Sequence, residues 1–338
     1  QDLLPVFVEL LHRPAFPEDK ISLAKQQLKT EISRRNDSQD RIAFRVFKRL
    51  IYGKGSVYAR IPEYETVNAV SRADLIDFHE QAYQGGNLMV GIVGDIDPEQ
   101  IRPLLEREFS VFPKKEAVSI SLPAVEAREG QSYHVVNKSD VNQSFLLMGH
   151  LGGWRQDPDY PELQVMNTIL SGGFSGRLFE RVRSRKGLAY TVFGRYDCHF
   201  YYPGLFFVGL KTATASTAEA VRTVRHELER LQQGVSEEEL DQAKDQFFNS
   251  LVFRYDEPEE ILERRMYYAY RDMPSDSFHR LTSEIRRVTA EDVVRVAGHY
   301  LQPDRLTTLA VGQKPHLLEQ FQELGQVEVI ELESPGGS

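Results

Sequence analysis

Ser171 to Tyr196 reads SGGFSGRLFERVRSRKGLAYTVFGRY, and the fold of the chain turns on this stretch. Gly172, Gly173 and Gly176 free the backbone for a tight turn. Leu178, Phe179 and Val182 then give a helical apolar stripe. Lys186-Gly187 is a helix stop, with a cation in the last turn and glycine just after it. Leu188 to Phe193 follows as a strand. Arg183 and Tyr190 flank this junction, and a helix-end arginine and a tyrosine on the next strand can converge on one point. The guanidinium offers fixed donors and the phenol one more, which suits a carbonyl or a developing oxyanion. Spacing alone leaves a second reading open, in which Arg183 is a solvated helix-end cation and Tyr190 a core aromatic with a wet hydroxyl.

Working outward, 338 residues suffice for two domains with proper cores. With 41% hydrophobic and 27% charged residues, the composition is that of a globular protein. A net charge of −9 without a long basic run argues against a nucleic-acid partner. No apolar run has the length of a membrane span. Cys198 is the sole cysteine, which excludes an internal disulfide and a cysteine zinc site. The opening QDLLPVFVELLHRPAF is amphipathic and has no signal-peptide pattern, so any targeting segment is expected upstream of it.

Helices are expected over Leu3–Leu11, Glu18–Arg35, Arg41–Ile51, from Ser71 to Tyr83 and over Pro98–Phe109, with a strand at Leu88–Val93. Pro113 to Gly130 lacks either periodicity and reads as the interdomain linker. Beyond it the order changes. Strands are expected at Tyr133–Val136, Gln143–Gly149, Leu205–Leu210 and Leu306–Val311, with capped helices starting near Ser216, Ser236 and Thr289. Ser334 to Ser338 reads as a polar tail.

Two tracts align without a gap at an offset of 218, beginning at Val70 and Val288. Val70/Val288, Asp74/Asp292, Gln84/Gln302, Leu88/Leu306, Val93/Val311 and Gly94/Gly312 are identities. Upstream, Ala24-Lys25 matches Ala243-Lys244 at an offset of 219. One unit is therefore used twice. In the second copy a long stretch precedes the helix at Glu237, and its counterpart falls almost wholly before Gln1. The first domain is accordingly expected to be incomplete and to expose apolar surface.

The glycine turn, S-G-R-L-F-E-R-V-R and K-G-L-A-Y together resemble the C-terminal half of the pitrilysin/insulinase family of zinc peptidases. The likeness is to the branch of mitochondrial processing peptidase and its small bacterial relatives. It implies an α+β fold of two homologous units, each an antiparallel-rich sheet packed by helices on one face. The first, 1–112, would be the latter part of a peptidase-like domain. A linker, 113–128, a complete second domain, 129–325, and a tail, 326–338, would follow. In that family an arginine and a tyrosine at this spacing help hold the substrate carbonyl over a zinc in another domain, and Arg183 and Tyr190 match them. The family's H-x-x-E-H motif, which supplies two zinc ligands and the glutamate that activates water, does not occur here. The nine histidines include no i, i+4 pair. Glu31 matches the third ligand, but a second glutamate often found seven residues earlier is Ala24 here.

The resemblance thus implies part of a zinc-dependent endopeptidase that binds extended peptides, with zinc in the complete enzyme and none expected in this chain alone. An alternative is a natural non-catalytic subunit that lends its Arg/Tyr pair to an H-x-x-E-H subunit. A third reading is a structural subunit like the respiratory-complex core proteins. Family members form clamshells or dimers around an extended peptide, held by strand addition. The implied partners are a peptide or unfolded substrate and either a second copy or a related peptidase subunit. The implied setting is bacterial and periplasmic.

Overall fold

A computed structural model describes residues 3–115, 120–127, 129–252 and 257–332. The chain forms two compact units. One comprises Gln1–Ser33, Pro62–Ser121 and Val252–Ser277; the other comprises Arg34–Ile61, Leu122–Leu251 and Phe278–Ser338. No helix among the described residues is long and apolar enough to cross a membrane.

The second unit is built on a mixed sheet. Its strands are β1 (Ser132–Asn137), β2 (Gln143–Leu151), β4 (Ala189–Tyr196), β6 (Leu205–Ala213), β7 (Thr307–Gly312) and β8 (Val327–Ile330). Two short segments, β3 (Gly153–Trp154) and β5 (Cys198–His199), pair separately. The order is β4-β6-β2-β7-β1-β8. Pairing is antiparallel from β4 to β7 and parallel from β7 through β1 to β8.

The near-continuous apolar run FLLM in β2 has a simple cause: both faces of the sheet are covered. Leu146, Met148, Val135, Ala310, Phe206, Val208 and Leu210 face one core with the helices Tyr160–Ser171, Thr217–Gln233 and Ala290–Tyr300. Their strand neighbours Phe145, Leu147, Val136, Leu309 and Val311 face the other way. There Ile42, Ala43, Val46, Phe47 and Ile51 of the helix Gln39–Tyr52 bury against them.

Helices on a single face were expected, and this helix was assigned to the first domain. It joins the second unit because its apolar stripe closes that sheet's second face. Both its ends are pinned. The Gln39 side-chain amide donates to the Gln143 and Val311 carbonyls at 2.7 and 2.8 Å, and the Tyr52 hydroxyl donates to the Pro203 carbonyl at 3.0 Å. Val327–Ile330, expected within the tail, pairs instead with β1. Residues 116–119 and 128 of the expected linker and 333–338 of the tail lie outside the described residues.

The internal repeat is visible bond by bond. Ser71 and Thr289 each form a capping box, with Asp74 and Asp292. Past each helix, the Tyr83 N–H donates to His79 and the Leu301 N–H to Ala297. A short 3-10 turn follows in both, Gly85–Asn87 and Pro303–Arg305. The upstream helices, Glu18–Ser33 and Glu237–Val252, begin and end at equivalent positions. Lys25 donates to the Asn68 carbonyl and Lys244 to that of Arg286. The helix Gln39–Tyr52 also has a counterpart, Pro258–Tyr270, which lies in the first unit. Each half of the sequence therefore contributes one helix to the unit built mainly from the other half.

The copies diverge at the sheet. Leu88–Val93, expected as a strand, has no ladder. Its counterpart β7 is a strand because β1 and β2 bond it on both sides, and among the described residues nothing flanks Leu88–Val93 in that way. Met89, Val90, Ile92 and Val93 are exposed, as are Val6, Phe7 and Leu10 on one stripe of the helix Leu4–His12 and Leu3 just before it. Phe78 is 69% exposed, whereas Val296 at the equivalent position in the second unit is fully buried.

Candidate functional site at a sheet edge

The site lies in the second unit, between the helix Tyr160–Ser171 and the edge strand β4. The helix ends where the Gly172 N–H donates to the Thr168 carbonyl at 2.7 Å. A Cβ on Gly172 would fall 2.4 Å from that carbonyl oxygen, so only glycine fits. Gly173 takes a φ of 62°, and a single 3-10 turn, Gly173–Ser175, leads into the segment that follows. Arg177 turns inward and is buried. Its Nε and Nη2 meet the two oxygens of Glu239 at 2.7 and 2.8 Å, and Nη2 also donates to the Gly234 carbonyl at 2.8 Å. Leu178 and Val182 anchor the segment in the core.

Phe179–Arg185 is not the ordinary helix its stripe suggests but a π-helical turn. Such widened turns are rare and concentrate at functional sites. The turn stops at Gly187, whose φ is 62°. The Gly187 N–H donates to the Arg183 carbonyl and the Leu188 N–H to that of Val182. Nothing lies within 4 Å of a Cβ built on Gly187. Gly187→Ala should therefore cost only the left-handed backbone strain, about 1 kcal/mol. Thermal unfolding measures this; a loss several times larger would mean that the loop packs differently.

A second irregularity follows at once. Ala189 pairs with Thr212 and Thr191 with Lys211, so Tyr190 is the extra residue of a β-bulge. Bulges re-aim side chains, often beside active sites. Tyr190 is 75% exposed as a result. The Arg183 guanidinium lies 5.8 Å from the Tyr190 ring centre and 4.7 Å over the Phe179 ring. Phe174, from the glycine turn, meets Phe179 edge-on at 4.9 Å.

The cations nearby are engaged: Arg185 with Glu180, Lys186 with Glu219 and Arg195 with Asp197. The Arg183 guanidinium has no hydrogen bond or ion pair among the described residues, and neither does the Tyr190 hydroxyl. Aromatic faces hold Arg183 in place and leave its N–H donors without an acceptor among the described residues. The two residues singled out in the sequence thus lie side by side. Phe174 and Phe179 complete the arrangement and were not singled out for it. Phe179 and Arg183 are four residues apart, a visible signal, but Phe179 reads as core until the π-turn lifts it out.

Glu31 is exposed near the end of the helix Glu18–Ser33. No group of three or more His, Cys, Asp or Glu residues able to hold a metal ion occurs among the described residues. The described residues therefore do not make a zinc site. Asp97 caps the helix Pro98–Phe109 by accepting from the Glu99 N–H at 2.9 Å. His150 is structural: its Nδ1–H donates to the Leu151 carbonyl, and its Nε2 accepts from the Gln302 N–H. Burial pushes this imidazole down to about 4, so it stays neutral.

A family model described as the peptidase M16 inactive domain matches residues 69–247, more than half of the chain. The chain belongs to this family. An uncharacterized zinc protease of Rickettsia bellii is 26% identical to it over 250 residues, covering 73% of this chain and 59% of that protein. A Helicobacter pylori protein named a non-peptidase homolog is 24% identical over 314 residues, covering 90% of this chain and 71% of its own. The crystal structure of a peptidase M16 inactive domain from Pseudomonas fluorescens superposes with a TM-score of 0.83 at 23% identity. It covers 92% of this chain and 74% of its own, and shows the fold to be that of M16 proteins. The chain thus spans about three-fifths of the length of the Rickettsia relative.

Proposed function

We propose that this M16 chain is the non-catalytic, peptide-holding part of a zinc endopeptidase. Arg183 carries the reading. Its donors have no protein acceptor among the described residues, it is steadied by aromatic rings, and it lies beside an exposed tyrosine hydroxyl at the open edge of β4. An extended peptide adding to that edge would bond its backbone to β4 and place a carbonyl on Arg183 and Tyr190. Zinc and the water-activating glutamate belong, on this proposal, to another domain or subunit.

A second reading is a natural partner subunit that serves an H-x-x-E-H-bearing relative in a dimer, in the periplasm. The names of two relatives favour it: the non-peptidase homolog of Helicobacter pylori and a probable inactive metalloprotease of Bacillus subtilis.

Fluorescence anisotropy with a labelled extended peptide tests the shared core of both readings. Arg183→Ala should weaken binding about tenfold to a hundredfold, as expected for losing a charge-assisted hydrogen bond. Thermal stability should hold, since Arg183 has no partner whose burial depends on it. Unchanged affinity in Arg183→Ala ends the proposed role. In the complete enzyme, turnover should fall by a larger factor than affinity.

A further inference from the structure

A cavity of about 360 Å³ lies wholly within the second unit, at the end of β4 away from Tyr190. None of Phe174, Phe179, Arg183 and Tyr190 lines it. Its volume is that of a small-molecule site. Ile51, Pro203 and Trp154 supply apolar wall, and Trp154 is the sole tryptophan of the chain.

Three polar side chains on the wall have unspent hydrogen-bonding capacity. Tyr196, the last residue of β4, is 4% exposed, and its hydroxyl has no hydrogen-bond partner among the described residues. Buried tyrosine hydroxyls ordinarily find one. This hydroxyl lies 3.6 Å from where a Cβ on Gly153 would fall, and the residues flanking that glycine, Gly152 and Trp154, both line the cavity. Burial pushes its ionisation far above the ordinary tyrosine value, so the group stays a neutral donor. The Arg305 guanidinium and the Gln302 side-chain amide likewise have no partner among the described residues. No carboxylate is among the described residues that line the cavity.

Unspent donors, one fixed positive charge and an apolar wall suit an anion carried on a flat apolar body. We propose that this cavity binds a small aromatic carboxylate. Arg305 holds the carboxylate, Tyr196 donates a further hydrogen bond and Trp154 covers the ring. The proposal is independent of peptide holding at Arg183.

The fluorescence of Trp154 reads the site directly, because no other tryptophan contributes. Phenylacetate should change that emission saturably. Phenylacetamide, its uncharged counterpart, should bind about tenfold more weakly. Arg305→Ala should bring phenylacetate down to the affinity of the amide, and circular dichroism should show the same fold because Arg305 is exposed. Tyr196→Phe should weaken phenylacetate binding about threefold to tenfold. Its thermal stability should hold, since the hydroxyl has no protein partner to lose; a drop in stability would give that hydroxyl a structural bond and overturn its role.

Equal affinity for phenylacetate and phenylacetamide overturns the carboxylate assignment. Absence of a saturable change with either, matched by absence of heat in titration calorimetry, overturns the site. A C-terminal phenylalanine carries the same ring and carboxylate on a peptide. If an alanine–serine peptide ending in phenylalanine binds and phenylacetate does not, the occupant is a chain end and the small-molecule proposal fails.

Discussion

Phe47→Ala should destabilise the second unit by about 3 to 5 kcal/mol, the largest loss expected from any single truncation here. Phe47 is fully buried on the helix Gln39–Tyr52, among Phe145, Leu147, Leu309 and Val311 of the sheet. Deleting its ring opens a cavity between one helix and a stiff sheet. The sheet cannot collapse into that space, because the helices on its other face hold it in place. Relaxation would have to come from the helix alone, and the helix is pinned at both ends by Gln39 and Tyr52. Urea denaturation followed by far-ultraviolet circular dichroism reads the effect as a lower midpoint at constant slope. Phe78→Ala, which removes a largely exposed ring, should shift the midpoint far less. Equal shifts for the two variants would show that the helix does not close the sheet.

Arg177→Met should cost about 2 to 3 kcal/mol at neutral pH, toward the lower end of what breaking a buried pair costs because Glu239 is partly solvated. The change leaves Glu239 without its bidentate partner and the Gly234 carbonyl without a donor. The pair also carries a pH signature. The Arg177 guanidinium, helped by the Ser236 N–H, holds the Glu239 carboxyl down to about 2 from an ordinary value of 4.5. A depressed carboxylate contributes its stability fully above its unfolded value and loses it as pH falls through the folded one. Stability of the unmodified protein should therefore drop between pH 4.5 and 2. In Arg177→Met that part of the pH dependence should flatten. Acid titration of both proteins by circular dichroism separates the outcomes, and parallel curves would remove the pair from the account. Because Arg177 begins the segment that presents Phe179 and Arg183, its loss should also weaken peptide binding.

Much of this was legible before any coordinates. The capping boxes at Ser71 and Thr289 and the matched tracts around Val70 and Val288 foretold two equivalent α+β pieces, since caps and apolar periods are local. The neighbourhood of Arg183 and Tyr190 was legible for the same reason: a glycine stop fixes how a helix hands over to a strand. The π-turn and the bulge at Tyr190 were not. Each inserts an extra residue into a regular period, and the stripe Leu178, Phe179, Val182 suits an α-helix equally well. The destination of the helix Gln39–Tyr52 was also hidden. Its stripe shows that it must bury a face but not which sheet supplies the surface. Leu88–Val93 erred in the opposite sense. Its composition suits a strand, but a strand also needs neighbours, and the sequence of the segment itself says nothing about them.

The exchange of helices between the two halves bears on how the molecule can be cut. A shortened version starting at residue 129, where the sequence suggests a self-contained domain, would retain all six strands of the main sheet and lose Gln39–Tyr52. Val136, Phe145, Leu147, Leu309 and Val311 would then face water across the middle of that sheet. Such a product should be sticky and poorly soluble for reasons unrelated to the quality of its own sequence. Supplying residues 34–61 again, even as a separate peptide, should restore it.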